Sequence, residues 1–565
     1  MATFARRERL LTLVMNDTMK KILRIAAVVV LGLSAIACSS VKKMAQEAEN
    51  VIVECNPSPL EVVAGNIDAF VAVTYPAGYF HPKAILEVTP VLVYEGGEQA
   101  MAPFYYQGEK VKDNYKVVPS AGTTVSERVH FTYIPGMERS HLELRGVATL
   151  KASSVTLPTK KVADGANTTY MLVKRQGLVP LKDDGYQEII KQTEEGQILY
   201  AINSSDVRSN ELRSQSIRSF QAALDEIKAN DRATVTGTEV VAYASPDGGA
   251  KLNANLSENR SKSAEKAWNT VTKGRETEAP EVRSIGQDWE GFQELVSRSN
   301  IPDKDLILRV LSMYSDPAVR ESEIKNMSEI YKELKDGVLP ELRRARFIAN
   351  VEYKNFTAEE LVALIDDNID VLDETALLRA ATLVDDTAKQ ISIYNKAIEK
   401  FDSDVARFNT GVVYLNEGKD AQAKAAFDKV KTNDADLKNA RGVLALHDND
   451  LATASRLFNE SGTACAKANQ GIIDILQGNY AKAAAELVDA PGCCHNTVLA
   501  YILTNQLDKA AATVSCQDPK VKYLQAIIAA RKGNASEYRT FLAAANQNAE
   551  LRERAAKDIE FAAFR

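Results

Sequence analysis

A chain of 565 residues is too long for one hydrophobic core, and ordinary domain sizes predict about three or four domains. Its formal net charge of -7 gives no strong field of either sign, which excludes a basic nucleic-acid surface or a polybasic membrane patch as the organising feature of the whole chain.

The first element in chain order is a signal. From Met19 the chain reads MKKILRIAAVVVLGLSAIAC, with Lys20, Lys21 and Arg24 ahead of an apolar run from Ile25 to Leu33, and Ala35, Ile36 and Ala37 before Cys38. The run is too short to span a bilayer, so it reads as an export segment rather than an anchor helix. Residues 1–18 have no such character, and Met19 competes with Met1 as the true start. The pattern resembles a bacterial lipoprotein signal. That resemblance implies cleavage of 1–37 and acylation of Cys38, whose chains, at about 0.8 kcal/mol per buried methylene, would hold the protein to the outer membrane. Surface-exported lipoproteins of the Bacteroidetes often carry an acidic run behind this cysteine. Ser39, Ser40, Lys42 and Lys43 stand here instead, which favours a periplasm-facing anchor.

Residues 38–49 form a linker, and 50–185 alternate β-branched with polar residues between Pro and Gly, the pattern of a β-sandwich-like domain. His81, His130 and His141 in this region read as surface or packing residues. Around residue 186 the pattern changes to alternating strands and helices: a strand near QILYAINSSDV, a helix over SQSIRSFQAALDEIKAN, a strand over ATVTGTEVVAYAS, a helix from the Gly-Gly turn, a strand at EVRSIGQD, a helical insertion, and a closing strand over LRRARFIANVEY.

Within this α/β region the helix after Ser245-Pro246-Asp247-Gly248-Gly249 places Leu256, Arg260, Ala264, Ala267 and Val271 on one stripe. An arginine on an apolar stripe requires a partner. The run Gly248, Asn253, Leu256, Ser257, Glu258, Arg260 matches G-x4-N-x2-L-S-E-x-R, and residues 186–355 resemble the peptidoglycan-binding domain of the OmpA family, with the insertion of its Bacteroidetes variants. In that family an aspartate at the strand end and the helix arginine clamp diaminopimelate, a carboxylate holding the amine and a guanidinium the carboxylate. Arg260 occupies the arginine position, but Ser245 stands at the aspartate position, with Asp247 two residues on. Three readings stay open: Asp247 substitutes for the missing acid, Arg260 holds another anion, or Arg260 pairs inside its own domain. Asn253 is expected to cap the helix by accepting backbone N–H groups, and Ser245 to donate to a ligand or shape the turn.

From 357 to 565 the chain reads as helix after helix with an internal repeat. Gly411, Ala423 and Phe427 correspond to Gly442, Ala454 and Phe458, then to Gly471, Ala483 and Leu487, with weaker copies at Ala500, Ala510 and Val514 and at Ala526, Tyr538 and Leu542. The pattern resembles the tetratricopeptide repeat, although the period is near thirty and the repeat-end Pro is missing. The resemblance implies a solenoid with a concave groove for a partner protein. Cys465, Cys493, Cys494 and Cys516 cluster here and predict one or two disulfides, with Cys465 and Cys494 at equivalent offsets before Gly471 and Ala500. Only His495 lies near them, so neither a metal nor another cofactor is expected.

The expected whole is a multidomain, noncatalytic envelope scaffold that contacts peptidoglycan through the middle domain and proteins through the repeats. The alternative is a surface adhesin whose middle domain is only a spacer. The catalytic motifs G-x-S-x-G, P-loop and H-E-x-x-H are absent from the sequence.

Overall fold

The computed structural model describes residues 38–275, 277–301, 304–492 and 494–565. The signal segment, the acylation expected on the Cys38 side chain and the Cys493 thiol lie outside the described residues. A short helix α1 (Cys38–Gln46) leads into β1 (Ile52–Asn56), β2 (Val62–Val63), β3 (Asn66–Tyr75), β4 (Ile85–Tyr94), β5 (Gly97–Ala100), β6 (Phe104–Gly108), β7 (Lys116–Val118), β8 (Thr123–Thr132), β9 (Ser140–Leu150), β10 (Ser153–Thr156) and β11 (Lys160–Gly165). One sheet is built around β3, which pairs with β1, β2 and β8; the other runs β10-β9-β4-β6-β7, with β11 beside β9 and β5 beside β4. Alternation sets which face is buried: Ile67, Ala69, Val71 and Val73 of β3 and Leu142, Leu144 and Ala148 of β9 enter one shared core. Two sheets over a common core, antiparallel except for the parallel β6–β7 pair, give the sandwich-like arrangement that the alternation predicts.

After a linker whose regular structure is a single 3-10 turn at Thr169–Leu172, the chain forms β12 (Ile189–Leu199), α2 (Gln215–Ala229), β13 (Ala233–Ala244), α3 (Ala250–Val271) and β14 (Glu281–Gln287). The insertion follows as α4 (Trp289–Arg298), α5 (Lys304–Met313), α6 (Pro317–Asn326) and α7 (Ser328–Gly337), before β15 (Arg344–Lys354) closes the unit. Strand order is β12-β15-β13-β14, so the last strand in sequence enters the middle of the sheet. It pairs antiparallel with β12 and β13, whereas β13 and β14 are parallel, joined by the crossover helix α3. Ser214 caps α2 by accepting the Ile217 N–H, and Ile217, Phe220, Leu224 and Ile227 line its buried face. These residues meet Trp268 of α3 and Phe347 of β15 in one core. The insertion has its own, around Phe292, Val296, Ile307 and Leu334.

The remaining helices are α8 (Ala358–Asp367), α9 (Glu374–Thr382), α10 (Thr387–Phe401), α11 (Asp404–Asn416), α12 (Asp420–Phe427), α13 (Ala435–His447), α14 (Leu451–Ser461), α15 (Ala464–Leu476), α16 (Tyr480–Glu486), α17 (His495–Leu503), α18 (Leu507–Thr513), α19 (Pro519–Arg531), α20 (Ala535–Ala545) and α21 (Ala549–Lys557). The repeat motif explains their pairing. A Cβ placed on Gly411 would lie 2.4 Å from the Phe427 ring, one on Gly442 2.5 Å from Phe458, and one on Gly471 2.7 Å from Leu487. Only a glycine lets the large side chain of the paired helix lie against the backbone at these points. The chain divides into two compact units, one formed by residues up to Leu181 together with Gly411–Arg565, the other by Lys182–Thr410. Helices α8 to α10 therefore belong with the α/β sheet, and the β-sheets share their hydrophobic core with the later repeats.

Candidate functional site

The loop after β13 turns inward on itself. Ser245 is buried and its hydroxyl donates to Asp247 Oδ1 at 2.5 Å. Asn253, expected as an accepting cap, does the opposite: its amide Nδ2 donates to the carbonyls of Ser245 at 3.0 Å and Gly248 at 2.6 Å. The helix cap position falls on Gly249, with no side-chain cap bond, so Asn253 sits one turn inside α3 and locks the loop from below. Ser257 ties the same helix to β14 by accepting the Gly286 N–H at 3.1 Å.

Arg260 is only 1% exposed, and its hydrogen-bond partners among the described residues are main-chain carbonyls: Ser204 at 2.9 Å from Nε, Tyr243 at 3.0 Å from Nη1 and Ala201 at 3.3 Å from Nη2. The guanidinium also stacks over the Tyr200 ring, 5.0 Å from its centre. Burial pulls its pKa down from 12.5 to about 10, with Arg343 adding repulsion and Tyr200 and Asp247 opposing it, so the group stays cationic at neutral pH. Of the three readings, the third comes nearest to this geometry: Arg260 is held inside its own domain, by carbonyl oxygens rather than by a carboxylate. Fixed dipoles, rather than an acid, supply the partner that the stripe requires.

Asp247 faces Arg343, a residue that the motif does not contain. Arg343 Nη2 lies 3.4 Å from Asp247 Oδ2, with side chains 11% and 17% exposed. The Nε of Arg343 is buried and has no hydrogen-bond acceptor among the described residues. Ser245, Asp247 and Arg343 thus form one partly enclosed cluster, backed by the buried Arg260. Arg343 pairs with the carboxylate, Arg260 acts on it only through space, and the Arg343 Nε–H has no partner among the described residues. Such a cluster has excess positive charge and is suited to an anion.

A second arrangement was not foreseen from the sequence. Beyond a 3-10 turn at Thr169–Leu172, the linker after β11 has no sheet or helix to satisfy its main chain, and asparagines of successive repeats do so instead. Asn496 accepts the Lys174 N–H at 2.9 Å and donates to the Lys174 carbonyl at 2.9 Å. Asn469 treats Leu178 in the same way, at 2.7 and 2.9 Å, and Asn439 donates to the same Leu178 carbonyl at 2.9 Å. His495 faces the Leu172 carbonyl at 2.7 Å through Nε2, and burial drops its pKa from 6.5 to about 4, so it is the neutral ring that donates there. In the second unit, Asn409 accepts the Lys182 N–H at 2.8 Å and donates to its carbonyl at 3.2 Å. Asn409, Asn439 and Asn469 stand 30 residues apart in the sequence, the repeat period itself, and that recurrence was the available signal. Where a partner was expected, α13, α15 and α17 hold the chain's own residues 172–178.

The expected Cys465–Cys494 pairing is also corrected. Cys494 instead faces Cys516, with sulfurs 3.8 Å apart. The loop before α19 comes back over the start of α17 and brings the two thiols together. Among the described residues, no cluster of His, Cys, Asp and Glu is arranged to hold a metal, and no helix is long and apolar enough to cross a membrane.

No family model matches the chain, and no curated protein does. Among solved structures it is similar to a tetratricopeptide repeat protein from Parabacteroides merdae ATCC 43184, at 12% identity and a TM-score of 0.28 over 36% of this chain and 91% of that one. It is also similar to YrrB, described as a TPR protein with an unusual peptide-binding site, at 17% identity and a TM-score of 0.20 over 36% of this chain and 100% of that one. A third likeness is to yeast Tom70, at 13% identity and a TM-score of 0.25 over 61% of this chain and 78% of that one. The repeat architecture rests on the packing of the helix pairs themselves.

Proposed function

We propose that the protein is a noncatalytic scaffold of the cell envelope, acylated at Cys38 and held to the outer membrane. Its middle unit is OmpA-like and contacts peptidoglycan, and its tetratricopeptide-like repeats hold extended polypeptide. The observation that carries the wall contact is the Ser245, Asp247 and Arg343 cluster, in which excess guanidinium charge meets one carboxylate beside the strand end where the OmpA-like motif lies. In this reading a stem-peptide carboxylate pairs with Arg343, Asp247 serves the amine, and Arg260 ties the chain after β12 to the end of β13 rather than touching the ligand. The repeats read the chain's own main chain through Asn439, Asn469 and Asn496, and a partner's extended segment is held by the same chemistry where it displaces residues 172–178.

Co-sedimentation of the full chain with purified sacculi tests the wall contact. The wild type is expected to pellet and Arg343→Ala to stay in the supernatant with an unchanged circular dichroism spectrum. Equal pelleting of a folded Arg343→Ala removes the peptidoglycan assignment.

A further inference from the structure

We propose that Cys494 and Cys516 are a dithiol that closes to an intrachain disulfide, and that this bond fixes the two segments gripping the start of the linker. The sulfurs already lie 3.8 Å apart, and Cys494 Sγ accepts the Ser515 N–H at 3.4 Å. Cys494 is buried, whereas Cys516 is partly open to solvent. Burial pushes the Cys494 thiol up, but donation from Ser515 and Cys516 together holds it below the usual thiol range. Elsewhere the balance runs the other way: burial raises both Cys55 and Cys465.

These differences assign the steps. The oxidant is a small disulfide such as oxidised glutathione. The more open Cys516 thiolate attacks it, forming a mixed disulfide and releasing one small thiolate, which takes up the proton Cys516 lost. Cys494, as thiolate, then attacks the Cys516 sulfur, the mixed bond breaks, and a second small thiol leaves. Two protein thiols lose two electrons and two protons, and one small disulfide is reduced to two thiols.

The bond would join two walls of one clamp. Cys494 immediately precedes His495 and Asn496, which hold the Leu172 carbonyl and both main-chain groups of Lys174. Cys516 lies two residues before Asp518, whose carboxylate pairs with the Lys174 ammonium and also caps α19 by accepting the Lys520 N–H at 2.7 Å. Closing the bond removes the freedom of these walls to separate, so the linker end is held more firmly in the oxidised form.

The experiment treats the purified full chain with oxidised glutathione, blocks remaining thiols by alkylation, and maps peptides without reduction. A crosslink between the peptides containing Cys494 and Cys516 is expected, retained in Cys493→Ser and lost in Cys494→Ser. A crosslink lost in Cys493→Ser and kept in Cys494→Ser, or both thiols recovered alkylated or glutathionylated, overturns the assignment. On the wild type, hydrogen exchange at the Lys174 amide is expected to slow at least several-fold on oxidation and to recover with dithiothreitol. Unchanged exchange across a formed crosslink overturns the coupling to the linker.

Discussion

Asn469→Ala tests whether the asparagines hold the linker or merely lie near it. Asn469 is 1% exposed and makes three hydrogen bonds: it accepts from the Leu178 N–H at 2.7 Å and donates to the Leu178 carbonyl and to Asn439 Oδ1, both at 2.9 Å. The Leu178 carbonyl keeps Asn439 in the variant, so its loss is partial. The Leu178 N–H loses its acceptor altogether. An unmet main-chain donor costs about 1–3 kcal/mol and each further bond about 0.5–1.5 kcal/mol, giving roughly 3 kcal/mol for the site. At about 1.4 kcal/mol per tenfold, local opening of the linker rises roughly a hundredfold. Hydrogen exchange resolved to the Leu178 amide measures this directly, with the Lys182 amide in the second unit as internal reference. Asn469→Asp sharpens the result. It keeps an acceptor for the N–H but sets a carboxylate against two oxygens, so at neutral pH the linker should open more than in the alanine variant. A Leu178 exchange rate within about threefold of wild type in both variants refutes the idea that these side chains hold the linker.

Two further outcomes follow from packing and from burial. Gly442→Ala forces a Cβ to 2.5 Å from the Phe458 ring, and this overpacking is expected to cost about 1–3 kcal/mol in chemical denaturation. Gly337→Ala, at the end of α7 with nothing within 4 Å, should be neutral or slightly stabilising. His495 has a folded pKa near 4 against an ordinary 6.5, so the unfolded chain binds the extra proton between these values. Its contribution is complete above pH 6.5 and is lost as the pH falls toward 4, amounting to about 3 kcal/mol. Stability measured across this window should show a shallower slope in His495→Gln, and an identical slope rules out His495 as its source.

Much of the fold was legible because its causes are local. The buried residues of β3 follow a period of two, the buried face of α2 follows 3.6, and the Gly-to-Phe spacing of the repeats reports a contact that a single Cβ would block. The candidate site was less legible. The motif located the loop and the buried cation, but the partners of Arg260 are carbonyls of Ala201, Ser204 and Tyr243, and any residue type supplies a carbonyl. Arg343 could not be tied to Asp247 either, because the strand it precedes enters the middle of the sheet from 96 residues away. The thiol pairing failed for a related reason. Equal offsets within repeats place two cysteines on corresponding helices, whereas contact was made by the loop returning before α19.

The linker shows why a seat for main chain can be written in one part of a sequence and invisible in the part that occupies it. Asparagine meets a peptide unit with one donor and one acceptor, so Asn439, Asn469 and Asn496 specify where main chain must lie without specifying which side chains it carries. Residues 172–178 are constrained by sequence at few points. Gly177 is one, since its φ of +70° and a Cβ that would meet Val443 at 2.7 Å leave no room for a side chain. Lys174, paired with Asp518, is another. A segment held this way has no periodicity of its own, because periodicity arises from side chains choosing between core and water. The occupant is therefore read from its host: Asn439 and Asn469, buried and thirty residues apart, require peptide groups opposite them, and in this chain the linker provides them.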